Sequence, residues 1–513
     1  MSIFSSSKKN TDINPAARRP KGSPLAWVNL VLLFIIVIAC NYIGYHEYGR
    51  RDLTEEERYT ISERTINVLQ SARIQSRETP VHIIFAFKRS TSNYARMYSL
   101  LEEYVRYGKG KITLESFDPM RAPNRAREIS QNYGVDFRQD ICVIDARRDP
   151  SQPLKTFEGD QSDRKHVRFR PGSSFVRYET MPDESRRAVA LVMDEEVCTA
   201  ITEAVEGDMR IMYVAVNKGG VTLDDPELLG NLSRITKSLN IQLAPINLAE
   251  VDKMPDNAEG LIILAPQIDF TEEEMNVVNE FWEREDGKRA LFVALDPTCD
   301  KLHRLYRFLR MQGVRPNGDR VLLRDRNRAY YSISAVFPRS LVCTSGFWNS
   351  TTHLEGQSMS FKLEHGDENL ASLRRLATYP ILMSTEDYYG ETRADLNPKF
   401  DPQEDHPGPL CLGAAVVKGS PKSPNNQATM LVLGNTDMLL RENARTEQQD
   451  YLYTLWAWMS NRPEYGGRSA NQDMTMKIDL NRHSRHVLEN LTLIFMPLAA
   501  LLVALLIWRT RRH

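Results

Sequence analysis

Two long segments without a charged residue, one near each end of the chain, constrain its fold more than any other feature. Residues 25–43 read LAWVNLVLLFIIVIACNYI, and residues 491–508 read LTLIFMPLAALLVALLIW. About 20 apolar residues are enough for a helix to cross the roughly 30 Å hydrocarbon core of a bilayer. The sequence therefore predicts transmembrane helices at 24–45 and 487–508, with a large body between them.

Basic residues in the two short tails indicate how such a chain would be oriented. Lys8 and Arg19 precede the first segment, and Arg509 follows the second. Short loops rich in Lys and Arg stay on the cytoplasmic side, whereas a long domain is translocated largely regardless of its charge. We therefore expect cytoplasmic tails at 1–23 and 509–513. The body is then expected outside the cytoplasm, at the bacterial inner membrane on its periplasmic side.

The first apolar segment has an alternative interpretation as a cleaved signal. Val37 to Cys40 resembles a bacterial lipoprotein signal, in which Cys40 would be lipidated and become the new N-terminus. The apolar run continues past Cys40, and its length fits a membrane span better. Both interpretations place the body outside the cytoplasm.

Composition excludes several classes of function. The formal net charge is -1, so the basic excess that indicates a nucleic-acid partner is missing. The six cysteines include no CxxC pair and no Cys/His cluster, so spacing predicts neither a zinc site nor a disulfide framework. No GxxxxGK[ST] phosphate loop occurs, and we expect neither ATP hydrolysis nor a bound cofactor.

The first part of the body, at 46–150, predicts a β-α-β-α-β order. A strand at 81–87 (VHIIFAF) precedes a helix in which Tyr94, Met97 and Leu101 recur at helical spacing. This order resembles a thioredoxin-like domain. Residues 88–92 hold no cysteine, so we expect a scaffold without thiol chemistry.

The second part of the body predicts an α/β domain with a doubly wound, mostly parallel sheet at 209–465. Strands alternate with helices there, including a helix capped by Thr271 with Glu274. A β-rich connector is expected at 151–208 and a linker at 466–486. The stretch at 317–378 gives no clear pattern and is interpreted as an insertion, and 387–405 as a surface loop.

The order of several short motifs resembles the GldG-like auxiliary subunits of gliding-motility-type ABC transporters. The motifs are DLTEEERYTIS at 52–62, a strand ending in Asp-Pro at 110–119, the strand, turn and helix start at 260–274, a strand ending in Asp-Pro at 290–297, and a late strand end at 433–439. Two turns depart from the family pattern, at 217–220 and 285–288.

This resemblance implies a non-catalytic auxiliary membrane subunit. Its partners would be a separate permease, a cytoplasmic ATPase reached through that permease, and the lipid bilayer, whereas self-association stays open. The large domain would be similar to the flavodoxin and glutamine-amidotransferase folds. Ligand contacts would come from turns after its strands, at Lys218, Gly219, Gly220, Asp296, Asn435 and Asp437.

Two rival functions remain open. An envelope hydrolase or amidase would use Cys299, which follows a strand, with His303 four residues later. The glycine-flanked elbow of such enzymes is missing, so we expect a structural role for this pair. The other rival is a stand-alone binding protein for an envelope ligand.

Two further groups of residues bear on metal binding and on packing within the membrane. Asp401, Glu404, Asp405 and His406 are interpreted as solvated charges in a polar loop rather than as metal ligands. Ala500 and Ala504 have the four-residue spacing that allows close approach of membrane helices, and predict packing against the permease.

Overall fold

The structure is a computed structural model, and it forms two compact units, 1–55 and 56–513. The residues that it describes are 28–29, 31–39, 60–154, 163–181, 186–219, 228–284, 289–299, 301–324, 332–340, 345–364, 375–393, 398–419, 427–440 and 446–470.

The predicted transmembrane helix at each end is the part of the fold prediction that has to be corrected. No helix within the described ranges is long and apolar enough to cross a membrane. The second segment, 487–508, lies outside the described residues, and Ala500 and Ala504 lie there with it.

The second unit contains helices and strands in a mixed α/β arrangement. Its described α-helices are α1 Glu63–Gln70, α2 Ala72–Gln75, α3 Tyr94–Tyr107, α4 Pro123–Tyr133, α5 Met193–Glu206, α6 Leu228–Ser238, α7 Glu272–Glu283, α8 His303–Met311 and α9 Thr446–Met459. Its described strands are β1 Val81–Ala86, β2 Ile112–Phe117, β3 Ile141–Asp145, β4 Val167–Pro171, β5 Val176–Thr180, β6 Arg186–Leu191, β7 Arg210–Ala215, β8 Ile241–Ile246, β9 Ala258–Leu264, β10 Arg289–Ala294, β11 Val314–Pro316, β12 Arg320–Leu323, β13 Ile333–Val336, β14 Thr351–Leu354, β15 Phe361–Leu363, β16 Leu376–Ser384, β17 Tyr388–Glu391, β18 His406–Pro407, β19 Cys411–Lys418 and β20 Ala428–Leu433.

A four-stranded sheet in the order β2-β1-β3-β4 forms the first part of this unit. β1 and β2 are parallel, and β3 and β4 run antiparallel to their neighbours. The β-α-β-α-β order expected from the sequence is present, with α3 and α4 between the strands. Strand β4 comes from the segment interpreted as a connector, so the sheet continues past residue 150.

The large sheet has a parallel half in the order β8-β7-β9-β10-β20. Numbered along the chain, this order is 2-1-3-4-5, which is a doubly wound order of flavodoxin type. The carboxyl ends of these strands meet at one edge, where ligands bind in open α/β sheets. We call this the carboxyl edge.

The other half of the large sheet is antiparallel, and three of its described strands, β13, β14 and β15, come from the stretch interpreted as an insertion. β19 pairs with β20 on one side and with β16 on the other, and β13 and β14 continue the sheet outward. β11 and β15 form a short ladder that joins β19. The predicted surface loop at 387–405 is also corrected, because β17 lies in a small sheet with β12 and β18 and is buried throughout.

The two sheets share one hydrophobic core, because helices α1, α3 and α5 pack between them. Residues from β1, α3, α5, β10 and α9 contribute to the same cluster of buried side chains. Polar contacts add to this packing: the buried Asp194 carboxylate accepts hydrogen bonds from Ser62 N at 3.1 Å and Tyr104 OH at 2.7 Å. The first sheet and the large sheet are thereby held as parts of one compact body.

Candidate functional site

The turns that follow β7 and β9 meet at the carboxyl edge. The carbonyl oxygen of Lys218 accepts hydrogen bonds from Gln267 N at 2.7 Å and Ile268 N at 3.0 Å. Gly219 has a φ of +73°, and a Cβ there would lie 3.2 Å from Gln267 Cβ. Glycine therefore suits both the left-handed backbone and the close approach.

The side chain of Lys218 points into the protein and is only 10% exposed. Its ammonium forms an ion pair with the buried Glu274 and lies 4.8 Å from the centre of the Phe270 ring. Glu274 also accepts a hydrogen bond from Thr271 N, closing the capping box at the start of α7. The only charge of this turn is therefore used to fix α7 against the sheet.

Asp296 follows β10 and has both carboxylate oxygens occupied. Oδ1 accepts hydrogen bonds from the backbone N of Thr298 at 2.8 Å and from the Thr298 hydroxyl. Oδ2 accepts a hydrogen bond from Thr436 Oγ1 at 3.1 Å. Asp296 thus joins the turn after β10 to the turn after β20.

Asn435 and Asp437 belong to this turn after β20. Asn435 is fully buried: its Nδ2 donates to Glu355 O at 2.9 Å and Ser358 Oγ at 2.9 Å, and its Oδ1 accepts from Met438 N at 2.8 Å. Burial raises the pKa of Asp437, the Gln357 backbone N–H lowers it, and the nearby Asp296 carboxylate raises it.

The structure therefore brings most of the predicted ligand turns to one edge, but their polar atoms bond to each other. A ligand at Asp296 or Asn435 would have to displace internal hydrogen bonds. Gly356 closes the edge further, because a Cβ there would lie 1.5 Å from Asp437 Oδ2. Gly220 lies outside the described residues.

The proposed nucleophile pair, Cys299 and His303, is not assembled. Cys299 is 1% exposed, and its Sγ contacts Asp296 Oδ1 at 3.8 Å and Gln267 Nε2 at 3.9 Å. Burial raises the pKa of this thiol to about 12, so the reactive thiolate is scarce near neutral pH. His303 is exposed at the first position of α8, and it is not among the hydrogen-bonding partners of Cys299 in the described part of the chain.

The four polar residues at 401–406 are only partly the solvated charges that the sequence suggested. Asp405 is buried and accepts hydrogen bonds from Asp401 N at 2.7 Å and Thr392 N at 3.2 Å. His406 Nδ1 lies 2.9 Å from Oδ2 of Asp319, a fully buried carboxylate. In the described part of the chain no group of three or more His, Cys, Asp and Glu side chains could hold a metal ion.

A cavity of about 960 Å³ lies in the antiparallel half, and the sequence patterns did not predict it. Its walls come from β11, β15, the middle of β16, the segment around β18 and the start of β19. We call it the antiparallel cavity. Its volume is at the upper end of the range of small-molecule sites.

The lining of the antiparallel cavity combines cations with aromatic and apolar side chains. Its basic side chains are Arg315, Arg339, Lys362 and His406, and its aromatic side chains are Trp348, Phe361 and Tyr379. The described lining contains no Asp or Glu. The hydrogen bond to Asp319 raises the pKa of His406, burial lowers it, the charges of Asp319 and Asp405 raise it, and the nearby Arg315 lowers it.

Comparisons with known proteins do not assign a function. A family described as a domain of unknown function (DUF7088) matches residues 55–147, which include the first sheet through β3. No curated protein matches the chain.

Three solved structures have distant similarity to the chain. The N-terminal domain of mmIFT52 is 13% identical over 48% of this chain and 97% of its own, with a TM-score of 0.35. A putative ThuA-like protein from Bacteroides uniformis is 10% identical over 50% and 94%, with a TM-score of 0.30. A putative GMP synthase component from Thermoplasma acidophilum is 11% identical over 50% and 96%, with a TM-score of 0.25. Similarity at this level assigns no function to the chain.

Proposed function

We propose that this protein is a non-catalytic auxiliary subunit of an ABC-type transport complex, working with a separate permease and a separate ATPase. The observation that carries the non-catalytic part is the state of Cys299. Its thiol is buried with a pKa raised to about 12, and an exposed His303 lies apart from its contacts. A general base must reach the nucleophile within hydrogen-bonding distance, or through one water.

The transport part of the proposal is supported by the order of motifs that resembles the GldG-like family. The segment at 52–62 and the strand ends at 118–119, 296–297 and 434–437 carry that resemblance. In the large domain, Asp296 and the turn at 434–437 hold neighbouring strand ends together.

Affinity purification tests the proposed partners. The full-length chain, tagged and expressed in its native host, is cross-linked and purified, and co-purifying proteins are identified by mass spectrometry. We expect a permease and an ATP-binding protein in amounts comparable with the bait. Recovery of the chain without either protein, under conditions that retain other complexes of that host, would overturn the proposal.

Substitution of Cys299 and His303 tests the non-catalytic part separately. Cys299→Ala and His303→Ala are expected to leave the cellular function of the complex unchanged once folding has been verified. Cys142→Ala is the matched control for Cys299→Ala, because it also removes a buried thiol and lies outside the cavity lining. A selective loss of function in well-folded Cys299→Ala, absent from Cys142→Ala, would favour the hydrolase alternative.

We also propose that the α/β body lies outside the cytoplasm, where both interpretations of the first apolar segment would place it. The four described cysteines are buried and Thr180 is exposed. Thr180→Cys should therefore react with an impermeant maleimide in intact cells, and the parent chain should give the background. Labelling of Thr180→Cys only after cell lysis would contradict an extracytoplasmic body.

A stand-alone ligand-binding protein is a second candidate, favoured by the antiparallel cavity. The two candidate functions differ in the partners of the protein and not in its binding site. The same purification separates the two, because a stand-alone protein would be recovered without permease or ATPase.

A further inference from the structure

The antiparallel cavity contains two cations that face each other across a strand pair. Arg315 of β11 and Lys362 of β15 are directly opposite in the antiparallel register, and both line the cavity. Side chains opposite each other on an antiparallel pair lie about 5 Å apart at Cβ, and like charges in that position are destabilising. Both side chains are exposed, so the cavity carries two like charges side by side at its surface.

The described surroundings do not neutralise these two charges. Neither Arg315 nor Lys362 has an ion pair among the described residues, and the described lining offers no carboxylate. Asp319, which contacts the cavity residue His406, is buried and also accepts hydrogen bonds from the backbone N and the hydroxyl of Ser360. The described lining of the cavity therefore carries a net positive charge.

The remaining wall of the cavity is flat and apolar. Trp348 and Tyr379 line it together with proline residues, including Pro316 and Pro380. The guanidinium of Arg339 stacks 4.8 Å from the centre of the Trp348 ring. Aromatic walls of this kind accept planar apolar groups by stacking.

Trp348 also leaves a donor unused. Its indole Nε1 is buried and has no hydrogen-bond partner within the described part of the chain. A buried donor without a partner is unfavourable, by about 1–3 kcal/mol in general.

We propose that the antiparallel cavity binds an organic anion, with its anionic head between Arg315 and Lys362 and a flat apolar body against Trp348 and Tyr379. The head is a phosphate or a carboxylate, since both accept charge-assisted hydrogen bonds from Arg and Lys. None of the described lining residues belongs to the predicted ligand turns, and the proposal does not depend on the transport partners proposed above.

Calorimetric titration of the full-length chain with four probes tests the assignment of head and body. 1-Naphthyl phosphate carries both features, 1-naphthol only the body, and inorganic phosphate only the head; 1-naphthoate replaces the phosphate head by a carboxylate. We expect 1-naphthyl phosphate or 1-naphthoate to bind at least about tenfold more tightly than 1-naphthol and inorganic phosphate, because one charge-assisted contact corresponds to about a factor of ten. The ratio between the two anions identifies the preferred head.

Variants of the cationic pair locate the binding. Arg315→Gln and Lys362→Gln should each weaken the preferred anion by about tenfold and leave 1-naphthol binding unchanged. Lys253→Gln is the matched control, since Lys253 is an exposed cation that forms an ion pair with Asp256, away from the cavity lining. Trp348→Leu should weaken 1-naphthyl phosphate while leaving the weak binding of inorganic phosphate unchanged.

Three results would overturn the proposal. The first is no binding of either naphthyl anion by a chain whose fold is verified by circular dichroism. The second is unchanged affinity in folded Lys362→Gln, an exposed position at which the substitution is expected to be tolerated. The third is an equal loss in Lys253→Gln, which would indicate nonspecific attraction to surface cations.

Discussion

The two halves of the large sheet use their polar residues in opposite ways. In the parallel half, Asp296, Asn435 and Lys218 lie where ligands bind in open α/β sheets, yet their polar atoms are bonded within the protein. In the antiparallel half, Arg315 and Lys362 face each other at a cavity without a described carboxylate. This difference shows that the fold alone indicates where a ligand could bind. Charges without a partner and an unfilled cavity indicate where a ligand can bind without displacing internal hydrogen bonds.

The largest expected effect concerns Asn435 at the carboxyl edge. Asn435→Ala should lower the free energy of unfolding by about 4 kcal/mol, because several buried groups, including Met438 N and Glu355 O, lose their partner. Asn317→Ala at the antiparallel cavity is the control. It should lower the same quantity by only about 1 kcal/mol, since the Asn317 side chain bonds only to Ser360 Oγ among the described residues.

Chemical denaturation followed by circular dichroism measures both values. Equal losses at the two positions would contradict the distinction between a closed edge and an accessible cavity.

The next effect concerns the buried ion pair that holds the Lys218 turn. Lys218→Met should lower the free energy of unfolding by about 3 kcal/mol, because Glu274 would keep a buried charge without its cation. Adding Glu274→Gln should recover part of the loss. Lys253→Met removes an exposed cation and should change stability by less than about 1 kcal/mol.

Thermal and urea denaturation of these variants measure the difference. A loss in Lys218→Met no larger than in Lys253→Met would show that Lys218 is available to a ligand, as the sequence had suggested.

The smallest effect is a pH dependence at the antiparallel cavity. The hydrogen bond between His406 and Asp319 raises the pKa of His406. The charge of Asp405 raises this pKa further, and the charge of Arg315 lowers it. This contact therefore stabilises the fold fully below the unfolded histidine pKa of about 6.5, and the stabilisation disappears as pH rises through the raised folded value.

We expect His406→Gln to destabilise the protein more at about pH 5.5 than at about pH 9, by less than about 1 kcal/mol because His406 is partly exposed. Urea denaturation at the two pH values gives the comparison. In an Asp319→Asn background this difference should shrink, because only the smaller upward contribution of Asp405 remains. A larger loss at the higher pH would contradict the ion pair.

The parallel half could be predicted from sequence because its signals are local. The run at 290–295 is buried throughout as β10, and Thr271 with Glu274 forms the predicted capping box. Strand ends followed by Asp296 and by Asn435 located the carboxyl edge correctly. The sequence could not show that Thr436 hydrogen-bonds to Asp296 or that Ser358 hydrogen-bonds to Asn435, because these contacts join residues 140 and 77 positions apart.

The antiparallel half could not be predicted because its strands are short and its contacts are distant. β11 and β15 have three residues each, which is too few for an alternating pattern. Arg315 lies opposite Lys362 only because β11 pairs with β15. Tyr388 and Tyr389 looked like part of a polar loop because Asp and Pro residues surround them, although both are buried. One usable signal was the apolar run at 411–418, which is buried over its first six residues as part of β19.

The most direct measurement is a crystal structure of the full-length chain with the preferred naphthyl anion. The expected result is a bound anion with its head within hydrogen-bonding distance of Arg315 and Lys362, its ring against Trp348, and unchanged hydrogen bonds at Asp296 and Asn435. An anion bound at the carboxyl edge, with Thr436 or Thr298 displaced from Asp296, would contradict the assignment of the antiparallel cavity as the available site.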